Sequence, residues 1–125
     1  MQVRSHKDLV VWQKAMDLAE QVFAITQNFP SSQQYVLVSQ ATRAAISVPA
    51  NIAEGGGRGA IRDYCRFLAI SRGSLMELET YLILAARLGY VTDSETAAAM
   101  GLIEEVGKML NALRKRLSES EATSN

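Results

Sequence analysis

Four polar side chains, Arg43, Ser47, Asn51 and Glu54, stand four, four and three residues apart, a spacing that puts them on one stripe of a helix. The opposite face carries Ala45 and Ile52. Three chemistries fit such a stripe. It could be a solvated outer face. It could be an ordered hydrogen-bond seam, with Arg43 or Arg72 paired to Glu54 or Glu77 across a helix or subunit boundary; a buried pair of that kind fixes register more than it adds stability. It could also line a cleft in which Glu54, Glu77 or Asn51 does catalytic work. Pro49 lies in the same segment, where it removes a backbone hydrogen bond and crowds the carbonyl of Ala45. That costs about 3 kcal/mol unless the helix kinks or Ser47 and its neighbours satisfy the freed group.

The second candidate set is basic. Arg58, Arg62 and Arg66 are spaced four apart at the start of a helical pattern, a short stripe that could meet phosphate groups of a nucleic acid. Asp63 partly offsets it. The preceding Gly55-Gly56-Gly57-Arg58-Gly59 invites a phosphate-loop reading, but no Lys-Ser or Lys-Thr follows at the required spacing and no strand precedes it. Arg114, Lys115 and Arg116 fall near the expected end of the last helix, where positive charge complements the helix dipole.

Other chemistries lack their residues. One histidine, His6, and one cysteine, Cys65, cannot assemble the three or four ligands of a zinc site. A di-iron bundle needs Glu-x-x-His pairs on facing helices, and His6 precedes all of them. His6 is expected in solvent and Cys65 as a buried, inert thiol. No metal and no cofactor is expected.

Positioning these groups falls to long helices. The chain is 125 residues, the size of one domain, and holds only two prolines and eight glycines, most of them where helical periodicity breaks. The pattern predicts helices over about 8–28, 32–54, 60–88 and 93–117, a single bundle domain over 1–117, and a disordered tail over 118–125. Pro30 closes the first helix, the glycine run separates the second from the third, Gly89 caps the third, and Thr92 with Glu95 forms a capping box for the fourth. The inward stripe of the second helix is Val38, Ala41, Ala45, Val48 and Ile52, small enough for a neighbour to approach closely. Short connections favour an antiparallel up-down-up-down bundle. The polar start, Met1 to Asp8, lacks the apolar core of a signal peptide, and no apolar run is long enough to span a bilayer, so a cytoplasmic location is expected. Thirteen basic and thirteen acidic groups cancel, leaving no long-range field to gather nucleic acid or anionic membrane.

Two helices carry more apolar surface than a monomeric bundle needs. In the first, Leu9, Trp12, Met16, Ala19, Phe23 and Thr26 are read as the inward stripe, and Val11, Ala15, Leu18, Val22, Ile25 and Phe29 form a second one beside it. In the third, Tyr64, Phe67, Ser71, Ser74, Leu78, Tyr81, Ala85 and Leu88 face inward, while Ile61, Leu68, Leu75 and Leu82 recur every seven residues and Met76 with Ile83 adds apolar surface further round. An apolar arc of about 100° suffices for a bundle helix. The second stripes are therefore expected between copies of the chain.

The residues Asp8-Leu9, Val11-Trp12, the Arg43 to Gly55 segment, Arg72-Gly73-Ser74 with Glu77, and Leu88-Gly89-Tyr90 together resemble the small bundle proteins encoded in intervening sequences of 23S ribosomal RNA genes. The likeness spans about Lys7 to Leu117, with Ser71 where alanine is usual and Gly56 where serine is frequent. It implies a left-handed up-down bundle assembled as a ring-like homopentamer, with no firmly established activity. The related accessory variability determinant proteins of diversity-generating retroelements form pentamers that bind a reverse transcriptase and RNA through a basic surface, from which the neutral charge of this chain departs. The expected function is a non-enzymatic homo-oligomeric interaction or scaffold module. The alternatives are an RNA or ribonucleoprotein binding accessory protein, and an enzyme of unknown reaction.

Overall fold

The computed structural model of the protein describes residues 5–124, with side chains to 122. Met1 to Arg4 of the expected polar start and Asn125 of the expected tail lie outside them. The described residues form four α-helices and no strand: α1 Val10–Thr26, α2 Ser39–Gly56, α3 Ile61–Arg87 and α4 Asp93–Ser124. A 3-10 turn, His6–Asp8, precedes α1, while a second, Ser31–Gln33, and a π turn, Gln34–Val38, lead into α2.

Each helix packs on its neighbours in a closed circuit, α1 on α2, α2 on α3, α3 on α4 and α4 on α1, with α2 and α3 the most extensive pair. Their closeness follows from side-chain size. Ala41 and Ala45 are fully buried on α2, and at Gly55 an added Cβ would stand 2.9 Å from Phe67 Cβ and 3.1 Å from Tyr64 Cδ1. On the other side of α3, a Cβ at Gly107 of α4 would lie 3.4 Å from Leu75 Cδ2. The core is formed by all four helices, with Leu18, Ile52, Leu68, Leu75, Leu78, Leu82, Ile103 and Leu110 all but sealed from water. A second cluster, Phe29, Leu37, Val38, Ala85 and Val91, closes the end of the bundle where α1 and α3 finish, and there the rings of Phe29 and Tyr90 stand 6.1 Å apart.

The helix ends behave as their residues dictate. Gly89 takes φ +82°, the left-handed conformation that spares it a Cβ clash. This lets Tyr90 N–H donate to Ala85 O (2.9 Å) and Gly89 N–H to Ala86 O (3.1 Å), the paired bonds of a Schellman cap. At α4 the capping box forms: Thr92 N–H donates to Glu95 Oε1 (3.0 Å) and Glu95 N–H to Thr92 Oγ1 (3.1 Å).

Three expectations need correction. On α1 the second stripe supplies most of the core: Val11, Ala15, Leu18 and Val22, with Phe29 beyond the helix, are buried, whereas of the supposed inward stripe Thr26 is buried, Leu9, Trp12 and Ala19 are half-buried, and Met16 and Phe23 remain 39% and 45% exposed. Leu68, Leu75 and Leu82 of α3 are likewise buried within the same chain, so these second stripes are not what is left over for another copy. Finally, α4 does not fade at Leu117 but runs to Ser124. Glu119, Glu121 and Ala122 are good helix formers that extend a helix already nucleated, without needing to dock. Arg114, Lys115 and Arg116 are consequently well inside α4, and its last turn carries no basic residue; the dipole reading of that trio does not hold.

Glycine-to-alanine changes separate close approach from simple helix propensity. Gly55→Ala should lower unfolding free energy by about 1–3 kcal/mol through overpacking against Phe67. Gly73→Ala, in α3 with nothing within 4 Å of the new Cβ, should raise it by about 0.5–1 kcal/mol. Urea denaturation followed by helical circular dichroism reads both, and a stabilising Gly55→Ala would contradict the α2–α3 geometry.

Candidate functional site

The polar stripe of α2 divides into a bonded middle and wet ends. Ser47 and Asn51 are half-buried, and Asn51 Nδ2 donates both to Ser47 O and to Ser47 Oγ, each at 2.8 Å. Across the helix boundary, Ser74 Oγ donates to Ser47 Oγ at 2.8 Å, and one turn away the fully buried Ser71 Oγ donates to Val48 O at 2.8 Å. These bonds flank Pro49 and tie α3 to the stretch of α2 that the proline weakens. The hydrogen bonds here are made by hydroxyls, an amide and backbone carbonyls rather than by charges.

Arg43, Arg72, Glu54 and Glu77 are exposed. The expected pairings of Arg43 or Arg72 with Glu54 or Glu77 do not form within the chain; Glu54 Oε2 instead meets Arg58 Nε one turn on, at 3.4 Å. Four residues along one helix bring that pair together at the surface. Between α2 and α3, Gln40, Arg43, Ser47, Ser74, Glu77 and Tyr81 line a cleft of about 180 Å³, smaller than the roughly 300–1,000 Å³ of ordinary ligand pockets. Its serine hydroxyls are bonded to each other and to Asn51, not to a base. The described residues thus give the cleft no nucleophile–base pair of the kind an enzyme would need.

The basic stripe is largely committed elsewhere. Arg58 and Arg66 place their guanidinium carbons 4.8 Å and 4.5 Å from the centre of the Phe67 ring, a cation–π arrangement, and Arg66 Nε lies 3.8 Å from Asp63 Oδ1. Arg62, in the first turn of α3, is exposed and makes no ion pair among the described residues. Sequence periodicity could place the three arginines on one stripe but could not see that Phe67 sits between two of them.

His6 and Cys65 are both half-buried, unlike their expected fully exposed and fully buried settings. The His6 ring stands edge-on to Trp12 at 5.1 Å, and Cys65 Sγ lies 3.9 Å from Ser118 Oγ on the part of α4 that the sequence reading had left as tail. Half-burial deprives a Tyr64 phenolate of water and holds that hydroxyl above the ordinary tyrosine value of 10.0.

What sequence reasoning missed is which stripe of α1 stays exposed. Met16 and Phe23, with Ala19 between them, leave an open apolar hollow on α1 beside Glu20. At the same end of the bundle, Tyr35, Val36, Ile83, Leu84 and Leu88 are also exposed. The signal was present as the doubled stripe of α1, but the two stripes are equally apolar and periodicity alone cannot say which one turns inward.

Fold and site together define an all-α helical-bundle protein whose polar centre is a structural seam and whose unsatisfied surface is apolar. The sequence profile of the 23S rRNA-intervening sequence proteins matches residues 7–112, and the chain belongs to that family. It is similar to a crystal structure of a protein of unknown function from the S23 ribosomal protein family of Bacteroides thetaiotaomicron VPI-5482. The two share 25% identity and superpose with a TM-score of 0.76 over 85% of this chain and 99% of that one. Among curated proteins, none matches.

Two measurements follow from the seam and from Tyr64. Ser47→Ala should lower stability by about 1–2 kcal/mol, since it strands Ser74 and part of Asn51, while Arg43→Ala and Glu77→Ala should change it by less than about 0.5 kcal/mol. Equal losses at all three in urea titrations would mean the charged ends carry the seam. For Tyr64, a folded value above the unfolded one means the folded state keeps its proton longer. The contribution is complete below pH 10 and is lost as pH rises from there through the folded value. Tyr64→Phe should therefore flatten the decline of stability above about pH 10, as read by unfolding midpoints across an alkaline series.

Proposed function

We propose that this chain is a non-enzymatic, homo-oligomeric interaction or scaffold module, built from antiparallel up-down-up-down, left-handed four-helix bundles and assembled as a homopentamer in the cytoplasm. The observation that carries the self-assembly reading is the exposed apolar surface of Met16, Phe23, Ile83, Leu84 and Leu88, which a soluble monomer of this size would gain by covering. The antiparallel order is supported by the contact pairs. Ser47 meets Ser74 while Val48 meets Ser71, and Cys65 reaches Ser118 while Leu75 faces Gly107, so numbering rises on one helix as it falls on its neighbour. The pentamer is drawn from the family resemblance. No described helix is long and apolar enough to cross a membrane.

RNA or ribonucleoprotein binding is the second reading. It draws on the ribosomal RNA context in the family's description and on the free, exposed Arg62 at the start of α3. Against it stand the neutral net charge and the engagement of Arg58 and Arg66 with Phe67, Glu54 and Asp63, which a phosphate would have to displace.

Sedimentation in dilute solution tests both. The expected species has about five times the 13.7 kDa of the chain and gains no mass with total cellular RNA. A 13.7 kDa species would remove the oligomer reading. A salt-sensitive RNA complex, lost when Arg58, Arg62 and Arg66 all become alanine, would put the second reading first.

A further inference from the structure

Resting on the self-assembly reading, we infer that neighbouring copies meet head to tail at one end of the bundle. The Met16–Phe23 stripe of α1 on one copy seats in the groove between α3 and α4 of the next. That groove, about 320 Å³, is lined by Ile83, Ala86, Ala97 and Met100, with Arg87 and Asp93 among its charged residues. A cavity of roughly 150 Å³ takes a benzene ring, so there is room for the Phe23 ring, with Met16 about 10 Å further along the stripe, two turns earlier on α1.

Placement on the bundle decides the kind of contact. On α1 the side toward α4 is fixed by the Lys14 Nζ to Glu105 Oε1 ion pair at 2.9 Å and by Asp17, Gln21 and Ala24, which line the α1–α4 groove. Met16 and Phe23 lie further round, toward the flank that α1 shares with α2. The receiving groove belongs to α3 and α4. Because the helices pack in the circuit α1, α2, α3, α4, stripe and groove occupy opposite flanks of one molecule. A contact between two different patches is heterologous, and repeated it generates a ring or an open filament, whereas a patch meeting its own copy gives a two-fold dimer.

Level along the bundle limits the rise between copies. Phe23 is one turn short of the end of α1 at Thr26, Ile83 is one turn short of the end of α3 at Arg87, and Asp93 opens α4. The Phe29–Tyr90 contact holds those ends together. Stripe and groove therefore stand at the same height, so successive copies are displaced sideways with little rise along the bundle, and they close into a ring where each contact also turns one copy against the next. Charge agrees as well. Glu20 beside the stripe and Arg87 beside the groove are both exposed and without an ion pair among the described residues. Asp93, in the first turn of α4, is already favoured there by the helix dipole.

The test uses the full chain in sedimentation velocity and native mass spectrometry, with circular dichroism to check that each variant keeps its helices. Phe23→Glu and Ile83→Glu should each give monomers. Mixed in equal amounts they should form a one-to-one dimer, because one variant retains an intact groove and the other an intact stripe; the mixed contact should be at least about 100-fold tighter than either self-contact. Glu20→Arg should loosen the assembly and Glu20→Arg with Arg87→Glu should restore it. If a glutamate variant loses helix, Phe23→Gln and Ile83→Gln take its place in the same mixing experiment. The inference is overturned if the variants stay as large as the unaltered protein, if the mixture remains monomeric, or if Leu84→Glu dissolves the assembly while Ile83→Glu does not. Each of those results leaves self-assembly standing; a monomeric unaltered protein instead removes the broader reading together with this one.

Discussion

The close approach of α2 to α3 is the constraint on which the rest of the fold depends. It exists because α2 presents glycine at 55 to its neighbour, so that Phe67 and Tyr64 can lie against backbone instead of side chain, and alanine at 44 in the cleft between the two helices. Once the two helices are that near, hydroxyls as short as those of Ser47, Ser71 and Ser74 can bridge them or reach a carbonyl on the other side. Longer polar groups such as Arg43 and Glu77 no longer fit between the helices and are turned out to solvent. The composition of the seam and the exposure of the charged residues are thus two results of one distance.

The inter-helix bonds also gather around Pro49. A proline in a helix interior forfeits one backbone bond, and the segment around it is held by Ser71 on Val48 O, by Asn51 on Ser47, and by Ser74 on Ser47 Oγ. The local weakness and the inter-helix bonds occupy the same two turns. A polar cluster whose Ser71, Ser74 and Asn51 donors are engaged in this way is well placed to fix the relative rotation of α2 and α3.

Much of this was legible in the residues. The helix number, the buried stripe Val38, Ala41, Ala45, Val48 and Ile52, the left-handed Gly89 and the Thr92–Glu95 capping box all depend on local patterns that tertiary packing then reinforces. What was not legible depends on choices between equals. Val11, Ala15, Leu18 and Val22 compete with Met16, Ala19 and Phe23 on α1, and both sets have the right period; the narrower side chains of the first set suit a crowded interior, but only the assembled bundle reveals how crowded it is. The arginine stripe looked free because nothing in its spacing shows that Phe67 folds back between Arg58 and Arg66. The last turns of α4 were taken for tail because they have nothing large to bury, although a helix already begun continues through Glu and Ala without that incentive.

The π turn at Gln34–Val38 has a bearing on how this chain can change length. A π turn holds one residue more than the α turn it replaces, so it stores a single-residue surplus upstream of α2 without rotating the helix that follows. Losing one residue there would relax the surplus into ordinary α geometry and leave Ala41 through Ile52 facing as before. The same loss anywhere between Ser39 and Gly56 would swing every later side chain of α2 by about 100°. A one-residue deletion at Gln34–Val38 therefore keeps the facing of α2 and is felt only in the end cluster that holds Leu37 and Val38, whereas one in the body of α2 turns its later face out of the core.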